Sequence, residues 1–119
     1  MKKHSLIVGT MTWGRWGSAL NTTEMANRIE GALELGLNRF DHADIYGDYT
    51  TEAEFGAALK QANVVREDIE LITKCGIQMT RGRANKVKHY QYDTAYIIES
   101  AEQSLRNLRT DYLDLFLLH

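Results

Sequence analysis

Residues 37–74 read LNRFDHADIYGDYTTEAEFGAALKQANVVREDIELITK. Two short apolar runs, LNRFDHA at 37–43 and IELITK at 69–74, bracket a segment whose apolar residues Phe55, Ala58 and Leu59 recur at helical spacing. That recurrence predicts a helix between two strands. Strand, helix, strand in this order predicts a parallel pair joined by a right-handed crossover, because the helix carries the chain back to the end where the first strand began. Thr51 and Glu54 stand three apart ahead of the helix and predict a capping box.

The same alternation extends in both directions. Residues 5–10, SLIVGT, form an apolar run stopped by Gly9 and predict a strand. Residues 21–36, NTTEMANRIEGALELG, predict a helix capped by Asn21 and Glu24, with Met25, Ala26, Ile29, Ala32 and Leu33 on its apolar side and Gly36 at its end. Beyond Lys74, residues 76–91 are polar and basic without apolar period and predict a long loop, a kind that is usually functional or mobile. Residues 93–110 predict a long helix with Ile97, Ala101, Leu105 and Leu108 aligned, and YLDLFLLH at 112–119 a closing strand. The order is β-α-β-α-β-α-β, an α/β fold of parallel (β/α) units. Two architectures share that pattern: an open doubly wound sheet, and the first half of an eight-stranded barrel.

Composition narrows the function classes. Hydrophobic residues make 44% of the 119 and charged residues 25%, ordinary values for a globular protein. A formal net charge of −2 with no basic stripe argues against a nucleic-acid binder. No stretch reaches the length of a membrane span, and the run after MKKH is too short and interrupted for a signal peptide. The single cysteine, Cys75, excludes an internal disulfide and fits a reducing compartment. A cytoplasmic protein with a small-molecule substrate, and neither nucleic acid nor membrane as partner, is the expectation. The chain has no proline, for which composition offers no functional reason.

Three predicted strands end on ionisable residues: Asp41, Lys74 and His119. Parallel strands put their carboxyl ends on one face, where α/β proteins build their sites. Tyr46 lies in the loop just past the second strand. A phenol ordinarily titrates near pH ~10; a neighbouring ammonium stabilises its anion, and a carboxylate holds that ammonium in place. A histidine beside them suits a substrate oxygen. Together they describe a general acid for a carbonyl oxygen.

Three stretches, FDHADIYGDYTTEAEFGAAL at 40–59, ITKCG at 72–76 and AEQSLRNLRTDYLDLFLLH at 101–119, resemble the aldo-keto reductases. An aspartate, then tyrosine-glycine, then a glutamate leading a helix with a glycine-alanine-leucine tail is the family pattern. The resemblance spans essentially the whole chain and implies the first half of a (β/α)8 TIM barrel, with residues 1–119 as the N-terminal half and the rest of the barrel absent. It implies reduction of aldehydes and ketones with NADPH by a catalytic set of Asp41, Tyr46, Lys74 and His119. Gly9 and Thr10 fall where the family brings backbone near the nicotinamide, with Asp41 beside the ribose. Trp13, with Tyr46 and His119, is implied at the substrate, and Trp16 as a second wall; each tryptophan is weighed evenly against plain loop packing.

Other readings stand beside this one. The same fold carries regulatory and channel-auxiliary subunits, and a truncated chain would be inactive. Half a barrel leaves two strand edges open, which a second half-barrel copy would close by self-association. Asp41, His42 and Asp44 suggest a metal, but alternate strand residues face opposite ways and no second histidine stands at ligand spacing, so no metal is expected. His42 replaces a threonine common in the family. Asp114 is expected to be a hydrogen-bonded structural carboxylate, Cys75 a small buried hydrophobe, and the basic segment RGRANKVKH solvated. The glycines of GTMTWGRWG at 9–17 do not follow the Rossmann fingerprint.

Overall fold

The computed structural model describes residues 6–119. Ser5, where the first strand was expected to start, lies outside them; the strand itself, β1, is Val8–Gly9. It is followed by α1 (Thr22–Glu34), β2 (Arg39–Asp41), the short turn α2 (Tyr46–Tyr49), α3 (Thr51–Ala62), a 3-10 turn at Arg66–Asp68, β3 (Glu70–Cys75), β4 (Ile77–Gln78), β5 (His89–Tyr90), α4 (Thr94–Leu108) and β6 (Leu115–Leu118). Four of the strands form one parallel sheet in the order β1-β2-β3-β6. That order follows the chain without reversal, and α1 packs on α3 and α3 on α4 along one side of the sheet. A doubly wound sheet reverses its order and carries helices on both faces. The alternatives therefore resolve to successive units of a barrel wall.

Local chemistry explains the elements. Asn21 and Glu24 make the predicted capping box, with Glu24 N–H donating to Asn21 Oδ1 at 2.8 Å and Asn21 N–H to Glu24 Oε1 at 3.0 Å. At the other end of α1, Gly36 N–H bonds to Leu33 O and Leu37 N–H to Ala32 O, the paired closure of a Schellman motif. The capping box predicted for α3 does not form. The α2 turn delivers the chain to Thr50 already in helical geometry (φ −113°, ψ −26°), whereas a capping residue needs an extended backbone. Thr50 Oγ1 instead donates to Gly47 O at 2.6 Å. Gly56 permits α3 to touch α4: a Cβ there would stand 2.1 Å from Asn107 O.

The core lies between the sheet and the helices, where Phe40, Phe55, Met25, Ile29, Leu71 and Leu108 are fully buried or nearly so. The face of the sheet away from the helices is open. On it, β6 presents Leu115 and Leu117, 48% and 39% exposed, with no strand beyond β6 among the described residues. The expected loop at 76–91 is a hairpin instead: β4 and β5 pair antiparallel through Ile77–Tyr90 and Gln78–His89. Strands two residues long leave no period for the sequence to show.

Candidate active site

The open face of the sheet ends in a cluster of polar side chains. Alternation along each strand turns Asp41 and Lys74 toward this face, and turns Phe40, His42, Thr73 and Cys75 toward the helices. Lys74 Nζ donates to Asp41 Oδ1 at 2.9 Å and to His42 O at 2.7 Å, and stands 5.4 Å from the centroid of the Tyr46 ring. Two acceptors thus fix an ammonium beside the phenol. No hydrogen bond joins it to the Tyr46 hydroxyl.

Tyr46 sits where the chain leaves β2 and bends hard. Gly47, Asp48 and Tyr49 take φ of 65°, 55° and 71°, three left-handed residues in succession. Only the glycine adopts this freely; a side-chain-bearing residue pays about 1–3 kcal/mol. Contacts on both sides hold the bend. Trp16 Nε1 donates to Asp48 Oδ1 at 3.2 Å, and its ring stands 6.1 Å from that of Tyr46. The Tyr49 hydroxyl accepts from Met79 N–H at 2.9 Å and donates to Ile77 O at 3.4 Å, while Arg83 stacks 4.0 Å over its ring. The β4–β5 hairpin therefore clamps the tyrosine loop. Arg81, Lys86 and Lys88 of the basic segment are exposed, but Arg83 is half-buried in this clamp.

His119 follows β6, held by its N–H to Cys75 O at 2.8 Å and by the Tyr92 hydroxyl on its carbonyl. Burial and the Lys74 ammonium hold its imidazole below the ordinary histidine pKa, opposed in part by Asp41. It is neutral at neutral pH, and its Nδ1 is buried without a partner. It hydrogen-bonds to neither Asp41 nor Lys74.

Gly9 lies in register with Asp41, and a Cβ on it would meet nothing within 4 Å, so backbone borders open space. The Thr10 side chain points elsewhere. Fully buried, it donates to Asp41 O at 2.8 Å and lies 2.9 Å from His42 Nδ1. Its one proton is spent on the carbonyl, so His42 carries hydrogen on Nδ1 and leaves Nε2 bare. Burial first, and Lys74 second, push the His42 pKa down to about 3. His42 is a neutral core residue, edge-on to Phe55 at 4.2 Å.

The two tryptophans part company. Trp13 is 5% exposed in the core against Phe40 and Phe55, with Arg28 over its ring, on the helix side of the sheet. The substrate wall expected of it is corrected to core packing; Trp16 lies beside Tyr46, at the edge of the open face. Asp114 meets its expectation, accepting from Leu71 N–H and Arg66 Nη2, both at 2.8 Å. No three His, Cys, Asp or Glu among the described residues gather to hold a metal ion.

Sequence reasoning gave no role to one residue that the structure makes central. The glutamate leading α3 is Glu52, 2% exposed, which accepts from Thr73 Oγ1 at 2.7 Å, Ser104 Oγ at 3.1 Å and Asn107 Nδ2 at 3.4 Å. It ties α3 and α4 to the residue before Lys74. An acidic residue at a helix start reads as a dipole partner, and that reading hides its burial.

Comparison with known proteins matches this arrangement to the model of the aldo/keto reductase family over residues 5–119. The chain belongs to that family. It is 50% identical over 100 residues to Oxidoreductase YdhF of Escherichia coli (strain K12), covering 84% of this chain and 34% of that protein. It is 41% identical over 120 residues to 6-dehydroglucose reductase of Agrobacterium fabrum (strain C58 / ATCC 33970), covering 96% and 40%. Among solved structures, the holo form of aldo-keto reductase AKR11C1 from Bacillus halodurans superposes with a TM-score of 0.77 at 37% identity, covering 96% and 35%. The chain thus spans between a third and two fifths of the length of these relatives, and its four parallel strands with the helices between them are the N-terminal part of the family's (β/α)8 barrel.

Proposed function

We propose that the protein carrying this chain reduces aldehyde or ketone carbonyls with NADPH, using Tyr46 as the general acid. The observation that supports this most directly is the ammonium of Lys74, pinned by Asp41 and the His42 carbonyl beside the Tyr46 ring at the open strand-end face. Charge that develops on the phenol oxygen as it gives up its proton is stabilised by this fixed cation, at no cost of reorganisation. Asp41 holds the lysine in that place. His119, neutral and with one ring nitrogen unpartnered, is suited to a hydrogen bond with the carbonyl oxygen. Trp16 flanks the phenol and limits the approach of substrate.

The residues at this face fit the nicotinamide and ribose end of the cofactor. Gly9 presents backbone to open space, and among the described residues Asp41 has no hydrogen-bond partner on its second oxygen. A bound reduced nicotinamide supplies the hydride to the carbonyl carbon. A relative 36% identical over 112 residues, named NAD/NADP-dependent indole-3-acetaldehyde reductase, supports a nicotinamide donor; side-by-side assay with NADPH and NADH tests the choice of NADPH.

The test is Tyr46→Phe in the full-length protein. Loss of the hydroxyl is expected to lower kcat by roughly 10²–10⁴-fold, the usual worth of a positioned proton donor. NADPH affinity, measured by quenching of tryptophan fluorescence, should stay within about twofold because the ring remains in place. Turnover at the parent rate would sink the mechanism.

A further inference from the structure

Behind the strand ends, on the helix side, a second cleft of about 270 Å³ opens between α3, α4 and the loop of the β4–β5 hairpin. Asp44, Glu52, Arg83, Ser100, Ser104 and Asn107 line it. Most of these groups are committed. Glu52 accepts three hydrogen bonds, and Arg83 Nη1 donates to Gln78 Oε1 and to the Tyr96 hydroxyl, both at 2.7 Å. Asp44 is the exception. It is 7% exposed, and no side chain among the described residues donates a hydrogen bond to either carboxylate oxygen; only the backbone amides of residues 44 and 45 lie close. Buried polar groups are almost always paired, so a bare carboxylate facing a cleft asks for an occupant.

We propose that this cleft binds a small monovalent cation bearing N–H donors, ammonium or a primary alkylammonium, with Asp44 as its anion. Asp44 offers acceptors only, and the Ser100 and Ser104 hydroxyls beside it can accept as well. Burial raises the Glu52 carboxyl pKa, offset in part by its three donors Thr73, Ser104 and Asn107. With both carboxyls ionised, Asp44 and Glu52 against Arg83 leave one negative charge, which a single positive charge neutralises. A divalent ion would overshoot that charge and lacks the third carboxylate such ions usually gather. The cleft is wider than a bare ion requires and has room for a few heavy atoms. Empty, it is costly for a carboxylate: burial and Glu52 push the Asp44 carboxyl up to about 7, offset in part by Arg83 and by the nearby amides of residues 44 and 45. The other titratable groups around it are Tyr49 on α2 and the buried Cys75 thiol on β3. Occupation by N–H donors favours the ionised form, so binding is linked to release of a proton.

The experiment titrates the full-length protein with methylammonium chloride and follows the backbone amide signals of residues 44–46, 100 and 104 by NMR. Tetramethylammonium, of equal charge and without N–H, and potassium are the comparisons. Saturable shifts with methylammonium alone are expected, with affinity rising about tenfold from pH 6 to pH 8 as Asp44 ionises. Asp44→Asn, nearly identical in shape, should abolish them. Arg83→Gln, which removes the competing positive charge, should tighten binding severalfold, and it tests the proposal independently of how the Asp44 variant folds. Absence of saturation, equal saturation by tetramethylammonium or potassium, or binding indifferent to both substitutions would overturn the proposal.

Discussion

Asp41 and His42 are neighbours in sequence and belong to different environments, as do Thr73 and Lys74. On the helix side, polar side chains are buried and tied to one another: Thr10 to His42 and the Asp41 carbonyl, Thr73 to Glu52, Glu52 to Ser104 and Asn107. On the open face they keep spare capacity. Among the described residues Asp41 has an oxygen without a partner, and Lys74 has a third N–H. Saturated polar groups hold a structure together, because breaking one leaves another buried and unpaired. Unsaturated ones facing open space are positioned for something that arrives. By this criterion the open face is the one suited to the proposed chemistry, and on the helix side Asp44 and the bare Nε2 of His42 stand out as exceptions.

Substitution of adjacent residues can break that contrast. Lys74→Met should lower kcat/KM by roughly 10²–10⁴-fold, about 3–5 kcal/mol of transition-state stabilisation. It should lower the melting temperature only slightly, because the Asp41 carboxylate left behind is 31% exposed and can be hydrated even though Lys74 itself is only 13% exposed. Its neighbour should behave in the opposite way. Thr73→Val keeps shape but deprives Glu52 of a donor, at about 1–3 kcal/mol of stability with kcat/KM within about threefold. Paired urea unfolding and steady-state kinetics on the full-length protein read both; a stability loss in the lysine variant matching that of the threonine variant would erase the distinction between the faces.

Glu52→Ala sharpens the comparison at the next level of magnitude. Three donors from β3 and α4 converge on this one carboxylate, and its removal strands them in a buried site. A cost of about 2–5 kcal/mol is expected in urea unfolding. Glu52→Gln should cost less, because its amide oxygen still accepts. Equal losses for the two would mean that side-chain volume, and not the convergence of donors, is what matters there.

These contrasts also show which features a sequence displays. The parallel units were legible because the period changes along the chain from apolar runs to helical spacing, and Asp41, Lys74 and His119 stood out because strand ends share a face. The hairpin was hidden, since Ile77–Gln78 and His89–Tyr90 are too short for a period of two. Trp13 looked like pocket lining because composition does not say which way a loop side chain turns. The failed cap at Thr51 has a similar cause: the pattern of residues was right, but the left-handed bend at Gly47–Tyr49 delivers the chain in the wrong geometry. Glu52 required knowing that α3 and α4 approach at Gly56, a tertiary fact.

The smallest expected effect concerns His42 and depends on pH. Burial holds this imidazole neutral in the folded protein, with its pKa down at about 3 against 6.5 in an unfolded chain. Between those values the unfolded chain binds a proton that the folded one refuses. Stability from this group is therefore complete above pH 6.5 and is lost as pH falls toward 3. Replacement by threonine removes that dependence and also the ring that packs edge-on against Phe55. At pH 7.5 His42→Thr should be less stable by about 1–3 kcal/mol, the usual cost of emptying part of a core. By pH 4.5 the parent has lost roughly 2–3 kcal/mol through this one proton, and the two proteins should be nearly equal. Urea midpoints measured across that range would show the curves converging on acidification. Parallel curves would mean that His42 gains its proton without unfolding, and that its bare Nε2 has water or another acceptor within reach.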